Sequence, residues 1–124
     1  MDGVSFSAWQ GDEYRRLVAV LAAIGPPAVT ARWRLRMHEV FGESAETMYE
    51  LAQQGTEVSG ERLAELDHGY LQIVDGELTT ILGSSPAIVV RAVDSSWWDV
   101  ESDTSEIIDS VRRAFPDATE LPSP

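Results

Sequence analysis

Cysteine is absent from this chain, and so is lysine. Without cysteine there is no disulfide, no thiolate metal site and no cysteine nucleophile. Without lysine, all nine basic residues are arginine. That bias points to a GC-rich genome, and so to a bacterial source, before it points to nine sites that each need a guanidinium fork. Long apolar runs are also missing. The longest, Leu17 to Ile24, is too short to cross a bilayer. Met1-Asp2-Gly3 is not the basic start of a signal peptide. A cytoplasmic location, with no membrane partner, is the expectation.

Catalytic and cofactor signatures are scarce as well. There is no G-x-G-x-x-G and no P-loop, so no nucleotide cofactor is expected. His38 and His68 lie 30 residues apart with no ligand at metal spacing beside either, so no metal is expected. Ser95-Ser96 lacks the glycines of a nucleophile elbow. Asp94-Ser95-Ser96 reads instead as a polar turn whose side-chain oxygens bond the backbone. Asp99, Glu101, Asp103 and Glu106 have neither the glycine nor the spacing of a calcium loop. Asp94 and Asp99 have no third catalytic element beside them. A binding protein, more than an enzyme, is the expectation.

What the chain does have is negative charge and an ordinary apolar fraction. Its 124 residues are 44% hydrophobic and 24% charged, with a net charge of −12. That length suits one domain, residues 1–124, able to bury roughly two-thirds of its unfolded surface. The charge is uneven. Residues 1–56 hold 7 acids and 5 arginines, whereas residues 57–124 hold 14 acids and 4 arginines. Such a field repels nucleic acid and favours cationic partners.

Periodicity predicts the elements. Tyr14, Leu17, Val18, Leu21 and Ile24 share one helical face, which predicts a helix over 7–24 with Ser7 and Gln10 at capping-box spacing. Trp9 then either packs under that helix or lies exposed. Ala31, Trp33, Leu35 and Met37 alternate with Arg32, Arg34, Arg36 and His38, the period of a half-buried strand. Helices are predicted over 43–54, capped by Ser44 and stopped by Gly55, and over 59–66. Asp75-Gly76 between two apolar runs predicts a hairpin of strands 70–74 and 77–82. Residues 87–93 are nearly all apolar and predict a central strand covered on both faces, where Arg91 needs a partner. Residues 97–101 predict a strand with Trp97, Asp99 and Glu101 on one face and Trp98 and Val100 on the other. Asp103 and Glu106 are placed to cap a final helix whose inward stripe is Ile107, Ile108, Val111 and Phe115, ended by Pro116. Residues 116–124 are expected to be loose.

The expected fold is therefore α+β: an antiparallel sheet of four to five strands with helices packed mainly on one face. The leading candidate site is the aromatic and acidic stretch Asp94, Trp97, Trp98, Asp99, Glu101, Asp103 and Glu106. One of the two tryptophans would be the anchor and the acids would steer a basic protein partner. In size, acidity and lack of a catalytic set, the chain is similar to the small acidic immunity proteins of bacterial toxin systems. That resemblance implies an inhibitor that occludes a basic surface, and it carries over no residue. The alternative is a small-ligand or phosphate-binding domain, or an enzyme, using Arg32, Arg34, Arg36 and Arg91, since guanidinium forks bind such anions bidentately. A third reading is a homodimer that hides the second tryptophan. Arginines lining a concave pocket favour the anion reading; arginines locked in internal pairs favour the protein binder.

Overall fold

Val4 and Phe6 point one way and their polar neighbours the other, and this run is a strand, β1 (Asp2–Ser7). The computed structural model describes residues 1–121. A two-residue ladder follows, β2 (Trp9–Gln10) against β3 (Glu13–Tyr14), reversed at Gly11 with φ +62°. The helix expected over 7–24 is therefore only its last eight residues, α1 (Leu17–Ile24). Helical spacing does continue back to Tyr14, but strand pairing won. Ser7 ends a strand, Gly11 takes the left-handed turn, and Arg16 is extended. The Ser7–Gln10 capping box does not form. Trp9 is partly exposed, its indole N–H donating to the Ser95 carbonyl.

A short α2 (Pro26–Thr30) leads into β4 (Arg32–Gly42), where the alternation read over 31–37 holds to Met37 and the strand continues past a break in register to Gly42. Next come α3 (Ala45–Gln54), β5 (Val58–Ser59) and α4 (Gly60–Leu66). Gly55 closes α3 as expected. Ser44 sits at its N-cap without a side-chain capping bond, whereas Ser59 does cap α4 by accepting from the Arg62 N–H.

The predicted hairpin at Asp75-Gly76 is absent. Residues on both sides belong to one strand, β6 (Leu71–Thr80). The reason lies in the neighbour. β4 slips register between Met37 and Val40, opposite this dipeptide. The Met37 side chain fills the space beside Gly76, where an added Cβ would sit 2.7 Å from its sulfur. Glycine here makes room for a neighbour's side chain and does not reverse the chain.

β7 (Ile88–Val93), β8 (Trp97–Ser102), α5 (Ser105–Ala114) and β9 (Thr119–Glu120) complete the fold. Asp94 and Ser95 both have positive φ, and the Ser96 N–H donates to the Val93 carbonyl, a tight turn of the mirror type that joins β7 to β8. The α5 cap is Thr104. Asp103 does not cap the helix; its carboxylate accepts from the Ala87 N–H and the Thr104 hydroxyl. Of residues 116–124, expected to be loose, 119–120 pair with β1, and 122–124 lie outside the described residues.

The sheet has seven strands in the order β5-β4-β6-β7-β8-β1-β9, all pairs antiparallel. It exceeds the four to five expected because β1 and the two-residue edges were not foreseen. One face carries Val4, Phe6, Trp33, Leu35, Ile73, Leu78, Ile88, Val90, Trp98 and Val100, which form one buried cluster with the apolar residues of the helices. β7 is central, but only this face of it is covered. On the other face Val89 and Arg91 are half-buried and Val93 is exposed. No helix among the described residues is long and apolar enough to cross a membrane.

Candidate interaction face

The pleat sends alternate residues of each strand to the face opposite the core. Cross-strand register then sets them in rows. One row reads Arg36, Glu77, Arg91, Asp99, Ser5, across β4, β6, β7, β8 and β1. The next reads Arg34, Thr79, Val89, Glu101, Gly3. A third position pairs Val93 with Trp97 and Ser7.

At the centre, Arg91 donates from Nε to Glu77 and from Nη1 to Glu101, both at 2.8 Å. Burial by itself lowers the basicity of this guanidinium. The two carboxylate bonds outweigh that and hold it above its already high ordinary value. The partner that the sequence demanded for Arg91 is thus a pair of partners.

Toward β1 and β9 the face becomes aromatic and acidic. Trp97 is 51% exposed and Val93 37%. With Ser5, Asp99, Thr119, Glu120 and Leu121 they line a shallow groove of about 410 Å³. Asp99 and Glu120 form no ion pair among the described residues, because Arg91 is committed to Glu77 and Glu101. Toward β4 and β5 the face becomes basic. Arg32, Arg34 and Arg36 are all exposed. Of these, only Arg34 has an ionic neighbour among the described residues, Glu57 at 3.9 Å, and these two share a groove with Thr79, Thr80, Ile81 and Leu82.

The residues singled out in the sequence divide accordingly. Trp97, Asp99 and Glu101 share the open face. Trp98 does not: it is fully buried, its indole N–H donating to the Arg15 carbonyl at 3.0 Å. Asp94 lies in the turn at the Trp97 end. Asp103 and Glu106 lie past the far end of β8, about 20 Å along the strand from Trp97, and do not join it. Arg32, Arg34 and Arg36 form a row, but Arg91 is held two strands away. Ser5, Thr119, Glu120 and Leu121 were missed. The alternation of Val4, Phe6 and Ala8 was the available sign of β1; nothing local announces that Thr119–Glu120 returns to pair with it.

Behind the open face, the core side has its own polar anchors. The Asp67 carboxylate is fully buried, accepts from the Val18 N–H at the start of α1 and pairs with Arg16 at 3.1 Å. Tyr14 is pushed up to about 12, chiefly by burial, and packs between Trp9 and Trp98. Phe6 stacks on Phe115 with centroids 4.3 Å apart, and the Arg15 guanidinium lies 4.8 Å from the Phe115 ring and 2.8 Å from Asp117. Among the described residues no group of three or more His, Asp or Glu is placed to hold a metal ion.

No protein-family model, no curated protein and no solved structure matches this chain.

Proposed function

We propose that this chain is a protein-binding module that meets a basic protein through the Trp97 end of its open sheet face. One observation carries the reading: a half-exposed indole on a sheet face that no helix covers. Large aromatics are the commonest anchors of protein interfaces. The groove beside Trp97 has unpaired carboxylates on it, Asp99 and Glu120, and the chain as a whole carries −12. Carboxylates around the anchor raise the association rate of a cationic partner and repel acidic ones. In this reading the chain occludes a basic surface, as an immunity-type inhibitor does. The arginine row on β4 limits the footprint on that side.

The test is affinity capture from the source cell on the wild type and on Trp97→Ala and Asp99→Asn variants. The reading expects a lysine- and arginine-rich protein retained by the wild type, lost with Trp97→Ala and captured more slowly at low salt with Asp99→Asn. Trp9→Ala is the comparison variant: Trp9 is also partly exposed but packs on Tyr14 and does not line the Trp97 groove. Equal capture by the wild type and the Trp97→Ala variant overturns the reading.

A second reading, an anion site on Arg32, Arg34 and Arg36, draws support from their exposure and loose pairing. Against it, the groove that Arg34 lines also contains Glu57, whose charge opposes an anion. Titration with inorganic phosphate, followed by heat of binding, separates the two.

A further inference from the structure

The charges of the open face follow an order that neither reading above uses. Along one row they run plus, minus, plus, minus: Arg36, Glu77, Arg91, Asp99. The next row has plus at Arg34 on β4 and minus at Glu101 on β8, with Thr79 and Val89 between. Both rows change sign on reflection about the line between β6 and β7. A surface with that property is complementary to itself. Rotating a second copy by half a turn about an axis parallel to the strands, over that line, lays β4 on β8 and β6 on β7. Arg36 then faces Asp99, Glu77 faces Arg91, and Arg34 faces Glu101, each twice. A half-turn about an in-plane axis perpendicular to the strands sets Arg36 on Arg36 and Asp99 on Asp99, which is repulsive. The charge pattern therefore selects one axis.

We infer that the open face closes on a second copy of this chain about a twofold axis parallel to the strands between β6 and β7. The inference rests on the reading that this face is an interaction surface, and it names what occupies the face when the basic partner is away. Aligned sheets pack about 10 Å apart with strand directions within about 30°, a gap that arginine and carboxylate side chains span from both sides. Arg36 and Asp99 are free to do so, since neither forms an ion pair within its own chain among the described residues. The closure also brings Trp97 over the β4 bulge at His38 and out of water. Partner and second copy then compete for one surface.

Magnitudes set the strength. Four facing strands spaced about 4.8 Å apart, and about six residues long, present on the order of 400 Å² per copy. That is below the roughly 800 Å² per partner of a stable interface, so the dimer is weak and concentration-dependent. Two copies at −12 each repel at long range. At about 0.15 M salt the screening length is about 8 Å, which removes most of that repulsion but not the facing pairs; at 1 M it is about 3 Å. Self-association is thus strongest at intermediate salt.

Sedimentation equilibrium of the purified chain across concentration and salt tests this, with no partner present. The expected result is a monomer–dimer equilibrium that weakens at both salt extremes. Arg36→Glu alone and Asp99→Arg alone abolish it, and the double swap restores it. Circular dichroism confirms that each variant folds. The milder Arg36→Gln, expected to weaken the dimer about three- to tenfold, takes the place of any variant that does not fold. A chain that stays monomeric at every salt concentration, a dimer indifferent to the single swaps, or a double swap that fails to restore it overturns the inference. Loss of the dimer with Trp97-dependent capture intact removes only this inference. A dimer with no Trp97-dependent capture removes the basic-partner reading and leaves the dimer.

Discussion

Trp97 and Trp98 are neighbours in the chain and share a strand, yet one is 51% exposed and the other 0%. They are the two faces of the sheet in miniature. On the core face, every large side chain is apolar or has its polar atom bonded: Trp33 to the Ala28 carbonyl, Trp98 to the Arg15 carbonyl, and Asp67 to α1. On the open face, charges on neighbouring strands stand about 4.8 Å apart along each row, and among the described residues Glu77, Arg91 and Glu101 are the three locked together at its centre. The core face is therefore where substitutions cost stability. The open face is where they change association.

The sharpest way to break that comparison is to truncate each tryptophan. Trp98→Ala removes the largest class of buried side chain and is expected to cost about 3–5 kcal/mol. Trp97→Ala is expected to stay within about 1 kcal/mol. Urea unfolding followed by far-ultraviolet circular dichroism measures both; equal losses would mean that the two faces do not differ as described.

Ion pairs sharpen the same contrast on a smaller scale. Asp67→Ala leaves the Val18 N–H and Arg16 without their buried acceptor and is expected to cost about 2–3 kcal/mol. Arg91→Met removes two 2.8 Å bonds, but its side chain and those of Glu77 and Glu101 are about one-third exposed. Solvent screening reduces that loss to about 1 kcal/mol. Thermal melts at fixed salt compare the two. A larger loss at Arg91 would place the structural weight on the open face.

The smallest effect is expected at Asp117, which accepts from the Ser7 N–H at the end of β1. Its bond to Arg15 holds its carboxyl below the usual carboxylate range, and the Ser7 N–H adds to this. A group depressed on folding contributes stability above its unfolded value, about 3.9. That contribution is lost as pH falls from about 4 through the lower folded value. The stability difference between the wild type and Asp117→Asn should therefore be constant at neutral pH and shrink below about pH 4. Melting points of both proteins across that range give the measurement.

Much of the fold was legible because it is local. The arginine and apolar alternation of β4, the stripe Ile107, Ile108, Val111 and Phe115 in α5, the stop at Gly55 and the polar turn at 94–96 each follow from neighbours within a few residues. The misreadings share the opposite cause. Residues 7–14 were expected to extend α1 backward, but Ser7 pairs with β8, 90 residues away at Ser7↔Trp97, and Trp9–Gln10 pair with Glu13–Tyr14 across Gly11. Asp75-Gly76 had turn composition, but strand β4 bulged against it and ran past. At Ser7 and at Asp75-Gly76 a distant backbone offered ladder hydrogen bonds, which outweigh a local preference of about 1 kcal/mol.

The candidate face divides in the same way. Alternation alone determined that Trp97, Asp99 and Glu101 stand together, opposite Trp98 and Val100, because a strand has a period of two. Only the tertiary structure decided which of those sets the helices would cover. It also set β4, β6, β7 and β8 side by side, turning four separated charges into one alternating row. Strand order is a long-range property: it depends on which backbones meet, and no window of neighbouring residues contains it.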